Sequence, residues 1–526
     1  MGFLDYAVIV GYLLLSVYIG CRFAVKQKNT EDFFLAGRAM NWWPIAISIF
    51  ASLFSAISFI AMPGEAYNFG CNMWLGGFVS IIALPVMLFV FLKFFYNMRL
   101  FTINEYLEGR FSPKLRTINS LIFLLIRGVY LGVVLYATGI LLKSVFGWPM
   151  WLSVLIIGII STVYTYFGGM SAVIWTDVMQ FAVLLGGIIG IIIVIALNTP
   201  GGIGGIWSLA AEHHRAFDLS PESGIWDFDL KQRIVIWVWL FSLPIAIIGP
   251  STDQMNLQRC FSCKSYKEVV RAVGISTIGQ LPICFIFYFA GMALYVYFKI
   301  LHADTLPQNL NGDEAFSYFS ARILPGGLRG LLIAGLLAAV MSTISSVINS
   351  LGAVFVKDIY QPLIKPGQSE KHYLHIARNF TLLSGVLSCF LGISVDFIFG
   401  GRQVPLLEVS NVCLGGLGTF SIAMFFMGLL TYRVNAKGML FGLAAGIPVA
   451  IYLTFFRYLL VEQENRMGFM YLSMITLLVI IIVSYLVSLV SGRNNPLSSK
   501  YVIWNRYFNK MEDKEDCKTL MEGASE

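Results

Sequence analysis

Apolar residues in this chain come in unbroken runs of about twenty, separated by short polar segments, with little alternation within a run. A helical run of that length crosses the roughly 30 Å hydrocarbon core of a bilayer, so each run predicts a transmembrane helix. The runs fall at residues 4–24, 41–66, 72–95, 117–143, 149–167, 174–197, 232–254, 272–299, 329–356, 376–399, 404–431, 437–457 and 468–491, numbered here spans 1 to 13. The pattern predicts an all-α polytopic membrane protein of about thirteen transmembrane helices. Residues 1–491 form one transmembrane unit, and residues 492–526 form a cytosolic tail of mixed charge (Lys510, Glu512, Asp513, Lys514, Glu515, Asp516).

Composition agrees. Of 526 residues, 57% are hydrophobic and 12% charged, too few charges to cover the surfaces of several soluble domains. The net charge of +7 is scattered between apolar runs and lines no single face, which argues against a nucleic-acid partner. Most Lys and Arg fall in the loops after spans 1, 3, 7, 9 and 11 and in the tail. The positive-inside rule therefore places the N-terminus outside and the C-terminus in the cytoplasm of a plasma membrane or bacterial inner membrane. The N-terminal run lacks a basic flank and a small-residue cleavage site, so it reads as a retained span. Cys260-x-x-Cys263 is one close cysteine pair with no further ligands nearby in sequence, short of what zinc needs. The spans contain no HExxH pair, no paired intramembrane aspartates and no Ser-His arrangement, so no enzyme is expected. Nothing in the sequence indicates an oligomeric state.

Two spans are interrupted by polar or helix-breaking residues. Span 2 carries Ser52, Ser55 and Ser58 at mid-span and Pro63-Gly64-Glu65 near its end, and span 7 runs Gly249-Pro250-Ser251-Thr252-Asp253-Gln254. Broken helices near the midplane free backbone carbonyls that can coordinate ions and polar solutes, although Pro, Gly and Ser are also common in ordinary membrane helices. The two interrupted spans lie five apart and cross in opposite directions. Residues 41–197 (spans 2 to 6) and 232–431 (spans 7 to 11) can therefore form two inverted five-helix halves. In span 9, Ser342, Ser345, Ser346 and Asn349 share one helical face, with Thr343 beside them. A cage of hydroxyls and carbonyls suits a hard monovalent cation, and small hydroxyl residues equally suit helix packing. Charges within a bilayer are expensive, which singles out Asp177 in span 6 and Arg127 in span 4. Asp177 can give a carboxylate to a cation. Arg127 either holds a solute carboxylate or pairs with an acid remote in sequence.

At these residues the chain resembles the sodium/solute symporter family, whose members carry sugars, proline, pantothenate, iodide, monocarboxylates and sialic acid. The resemblance rests on Phe33-Phe34-Leu35-Ala36-Gly37-Arg38, Trp42-Trp43-Pro44, Gly168-Gly169, Trp175-Thr176-Asp177, Asp253-Gln254, Gln258-Arg259 and Ser342-Thr343, in that order. It implies a LeuT-like fold with an extra N-terminal helix and sodium as the coupling ion. It also implies a main sodium site built from carbonyls of Ala51, Phe54 and Ala339 and hydroxyls of Ser342 and Thr343. Resemblance to the sialic acid carriers implies a second site at Asp177, Ser342, Ser345 and Ser346, hence one or two ions per cycle. Solute contacts are expected at Ser58, Arg127, Asp253, Gln254 and Gln280. Gln280 stands where sugar carriers use a Lys, which weakens a hexose reading. The span 2 run and Arg127 favour an organic anion such as a monocarboxylate or sialic acid, although the sialic acid carriers' carboxylate-binding Arg aligns near Leu131, one turn later. The alternatives are a neutral solute (sugar, inositol or proline) and a sensor built on the transporter fold.

Overall fold

The computed structural model describes residues 1–23, 27–54, 56–220, 223, 225–227, 236–307, 309–399, 417–459, 461, 467, 469–492 and 496–508. The start of span 11 and most of the charged tail lie outside these residues. Within them the chain is helical, with one isolated bridge between Met40 and Cys263. In chain order the elements are α1 (Phe3–Arg22), α2 (Thr30–Leu35), α3 (Trp42–Leu53), α4 (Ala56–Phe69) and α5 (Asn72–Asn97). Next come α6 (Asn104–Arg110), α7 (Pro113–Phe146), α8 (Met150–Asn198), α9 (Gly202–Glu212), α10 (Ile236–Thr252) and α11 (Gln254–Phe261). The remainder are α12 (Tyr266–Leu301), α13 (Gly312–Tyr318), α14 (Leu328–Ile364), α15 (Glu370–Phe399), α16 (Leu417–Leu430), α17 (Ala436–Tyr458) and α18 (Phe469–Val490).

Helix ends follow local chemistry. Ser112 caps α7 by accepting from the Leu115 amide, and Pro113 takes the first helical position, where a missing N–H is harmless. Spans 5 and 6, expected as separate helices, are continuous in α8 apart from a corner at Gly169 (φ 56°, ψ −152°). That conformation is open only to glycine, and a Cβ there would stand 2.5 Å from the Phe33 carbonyl oxygen. The corner therefore lets α2 pass directly beneath the turn. The stretch between spans 6 and 7, residues 198–231, contains the helix α9.

An interrupted helix followed by four further crossings occurs twice. The pair α3/α4 precedes α5, α7 and the two limbs of α8, and α10/α11 precedes α12, α14, α15 and α16. This is the LeuT-like arrangement of inverted repeats, with α1 added in front. In α14, 94% of the most apolar stretch is buried, against 28% in α1, so α14 is the axis of the bundle and α1 lies on its flank. Asp5 on α1 accepts from the amides of Gly327 (2.8 Å) and Gly330 (3.0 Å), which ties α1 to the start of α14. Large apolar side chains such as Leu14, Phe89, Leu125, Ile193, Phe441 and Leu486 face outward from many of the helices.

Candidate functional site: two helix breaks around a buried polar helix

α3 ends at Leu53, and Phe54 turns extended (φ −95°, ψ 93°) before α4 begins at Ala56. The break falls at the small polar residues of span 2, whereas Pro63 sits inside the continuous helix α4. The last carbonyls of α3 thereby lose their intrahelical partners. Aromatic packing fixes the break: Phe54 stacks on Phe287 (4.9 Å, 18°), which meets Phe59 edge-on (5.9 Å). α3 packs directly on α14, where Ala339, Ser342, Thr343, Ser345 and Ser346 are all buried. Thr343 donates its hydroxyl to the Ala339 carbonyl (3.0 Å), which leaves the lone pairs of the hydroxyl oxygen available to a cation.

A second polar node lies alongside. Asp177, fully buried in α8, accepts from Ser342 of α14 (2.6 Å), Ser48 of α3 (2.5 Å) and Arg259 of α11 (3.1 Å). Arg259 is equally buried and donates further to Ser48 (2.7 Å), the Met255 carbonyl (3.1 Å) and Ser346. One guanidinium and one carboxylate thus join four helices, each satisfying the other's desolvated charge. The Ser345 hydroxyl turns back to the Ser342 carbonyl (3.1 Å).

The other break, between α10 and α11, falls at Asp253 (φ −78°, ψ 121°). Its Oδ1 caps α11 by accepting from the Asn256 amide (3.2 Å), and its Oδ2 forms an ion pair with Arg127 of α7. Beside this break a cavity of about 90 Å³ is lined by Ile49, Ser80, Asn256, Ser276, Thr277 and Gln280, among others.

The pattern of the Sodium:solute symporter family matches residues 33–446. The chain belongs to this family. Among similar proteins, the sodium/sialic acid symporter NanT of Aliivibrio fischeri is 30% identical over 92% of this chain and 93% of its own length. Sodium-coupled monocarboxylate transporter 1 of Mus musculus is 31% identical over 85% of this chain and 72% of its own. A solved Na+-coupled sialic acid symporter, in a substrate-bound outward-open state, superposes with a TM-score of 0.84 at 27% identity, covering 94% of this chain and 99% of that one. This protein is a multi-pass sodium-coupled symporter of a small solute and not an enzyme.

The expected residues of the symporter occupy several parts of this bundle. Ala51 and Phe54 lie at the end of α3, Ala339, Ser342 and Thr343 lie on α14, and the two helices pack against each other. Asp177, Ser342 and Ser346 do meet, but the cation among them is Arg259, noted in the sequence only as part of a motif. Arg127 and Asp253 meet each other, and Gln280 lines the cavity. Ser58 lies in α4, just past the break. Gln254 is committed elsewhere: it is buried and accepts from the Ile103 amide (2.9 Å). Sequence reasoning missed Ser80, Asn256 and Thr277. Asn256 and Thr277 each stand three residues from a named candidate, Asp253 and Gln280, on the same helical face. Cys260 and Cys263 are buried, and no third metal ligand stands with them among the described residues.

Proposed function

We propose that this symporter imports a small organic anion, a monocarboxylate or a sialic acid, together with sodium by alternating access. The observation that carries this reading is Arg127, a guanidinium deep in α7, partly exposed and set against the α10/α11 break. About fourteen residues of helix precede it, or roughly 21 Å, which is near mid-membrane depth. The printed names of the sialic acid and monocarboxylate relatives support the same solute class. Sodium is held by the carbonyls of Ala51, Phe54 and Ala339 and the hydroxyls of Ser342 and Thr343, bridging α3 to α14. The solute lies between Ser58, Arg127, Asp253 and Gln280, with Gln254 behind the break. Asp177, Ser345 and Ser346 serve as the structural node around Arg259.

The chain crosses the lipid bilayer thirteen times. Nine helices long and apolar enough to cross are found among the described residues, α8 supplies a second crossing past Gly169, and three shorter apolar helices supply the rest. Residues 1–491 form the transport unit, with repeats at 41–197 and 232–431. The N-terminus is outside and the tail cytoplasmic, in a plasma membrane or bacterial inner membrane. The uncharged polar lining of the cavity, Ser80, Asn256, Thr277 and Gln280, favours the second reading, a neutral solute.

Uptake into proteoliposomes separates the two readings. Acetate, lactate, pantothenate, sialic acid, proline, glucose and inositol are offered with and without an inward sodium gradient. Sodium-driven accumulation of an anion that is lost in Arg127→Ala is the expected result. Accumulation of a neutral solute alone would overturn the anion reading.

A further inference from the structure

The Arg127–Asp253 pair constrains the solute more tightly than its charge does. Arg127 gives Asp253 only Nη2, and its Nε and Nη1 have no hydrogen-bond partner among the described residues. The two side chains are 15% and 22% exposed, so the pair can be approached. Asp253 cannot simply swing away. Its Oδ1 caps α11, an eight-residue helix that carries Arg259, and a lost cap is itself destabilising. A carboxylate arriving at the free edge of Arg127 therefore meets a fixed carboxylate beside it. Two carboxylates sharing one guanidinium in a poorly screened site repel, and an unmatched buried charge is costly. A hydrogen-bond donor on the solute, next to its own carboxylate, removes the conflict by donating to Asp253 while the carboxylate takes Arg127.

Building on the anion reading above, we propose that Asp253 is a specificity-determining residue: the solute is a carboxylate with a hydroxyl on the neighbouring carbon, and Asp253 rejects acids without that donor. Sites built to pair a substrate donor discriminate strongly against analogues lacking it, because their own polar group is then left unpaired.

The test is sodium-driven uptake of lactate and propionate, which share a three-carbon acid skeleton and differ only in the hydroxyl on the second carbon, by wild type and Asp253→Asn. Asn is a good helix N-cap, so α11 is retained while the charge is removed. Wild type is expected to prefer lactate over propionate by at least about tenfold in half-saturating concentration. In D253N that ratio falls to within about threefold, chiefly because propionate improves as the repulsion is lifted. Equal use of propionate by wild type, which needs no variant to fold, would overturn the proposal, as would an unchanged ratio in a folded D253N. If neither accumulates but a neutral solute does, the anion reading fails and this inference with it, an outcome distinct from anion uptake without discrimination.

Discussion

Asp177→Asn tests whether the buried carboxylate is a sodium ligand or the counter-charge of Arg259. The substitution barely changes shape. It removes the negative charge facing a guanidinium that is 1% exposed and places an amide NH2 among the donors Ser48, Ser342 and Arg259. Removing one partner of a buried ion pair costs about 3–5 kcal/mol, because the other charge stays desolvated and unmatched. For a chain this long, 1 kcal/mol moves the unfolding midpoint by about 2 °C, so a fall of roughly 5–10 °C is expected. Arg259→Met added to D177N should recover a large part of that loss, since replacing a whole buried pair is often nearly neutral where breaking it is not. The assay is the apparent unfolding midpoint of purified protein in detergent, at one scan rate because such unfolding is commonly irreversible, in sodium chloride and in choline chloride. The sodium dependence of uptake is followed in parallel. With Arg259 already neutralising Asp177, a sodium ion in the same pocket would leave it net positive, so the Hill slope for sodium should not change in D177N. A midpoint within about 1 °C of wild type together with a slope falling from near two towards one would refute the reasoning and make Asp177 an ion ligand.

Ser342→Ala and Thr343→Ala each remove one hydroxyl oxygen from the proposed sodium shell, and each should raise the half-activating sodium concentration about tenfold or more, read from uptake against sodium concentration. Gly169→Ala forces a side chain into a glycine-only conformation and against the Phe33 carbonyl. It should cost at least about 1–3 kcal/mol, seen as a lower unfolding midpoint with sodium activation intact in the protein that folds. In the loop after α9, the hydroxyl and amide of Ser220 hold the Asp218 carboxyl below its ordinary range, assisted by His214. A depressed carboxyl contributes stability that is full above the unfolded value, about pH 4, and is lost as pH falls through its lowered value. Amide exchange around Asp218 should therefore be level from pH 8 to 5 once corrected for intrinsic rates, and rise only below about pH 4.

Span positions and the two interruptions were legible because hydropathy and helix-breaking residues act locally. Finer placement was not. Pro63-Gly64 looked as disruptive as the serines before it, yet the break falls at Phe54, where aromatic stacking from α12 supports an extended residue. Gly168-Gly169 looked like a linker, yet the helix runs on through the corner because α2 needs the space a Cβ would take. The charges show the same limit. Asp177 and Arg127 were conspicuous as lone intramembrane charges, while their partners Arg259 and Asp253 lie 82 and 126 residues away. That each needed a partner follows from desolvation alone; which partner it has is decided by how α7, α8 and α11 pack.

Both pairings converge on one short helix. α11 is capped by Asp253, which meets Arg127, and carries Arg259 less than two turns later, about 9 Å along the axis. Arg259 holds Asp177, and Asp177 holds Ser342, whose hydroxyl belongs to the proposed sodium shell. A solute engaging Asp253 and an ion engaging Ser342 therefore act on opposite ends of one continuous set of contacts that also includes Ser48 of the interrupted helix α3. Symport requires that each ligand favour the other by a reciprocal free energy of about 1–3 kcal/mol, and a contact chain transmits it only if its links differ between conformations. The Arg259–Asp177 link joins α11 to α8 by an ion pair too costly to leave half-made, so α11 moves with that partner intact or exchanges it whole. The Arg127–Asp253 link is partly exposed and open to competition from a solute, which makes it the contact in the chain that ligand binding can alter at least cost.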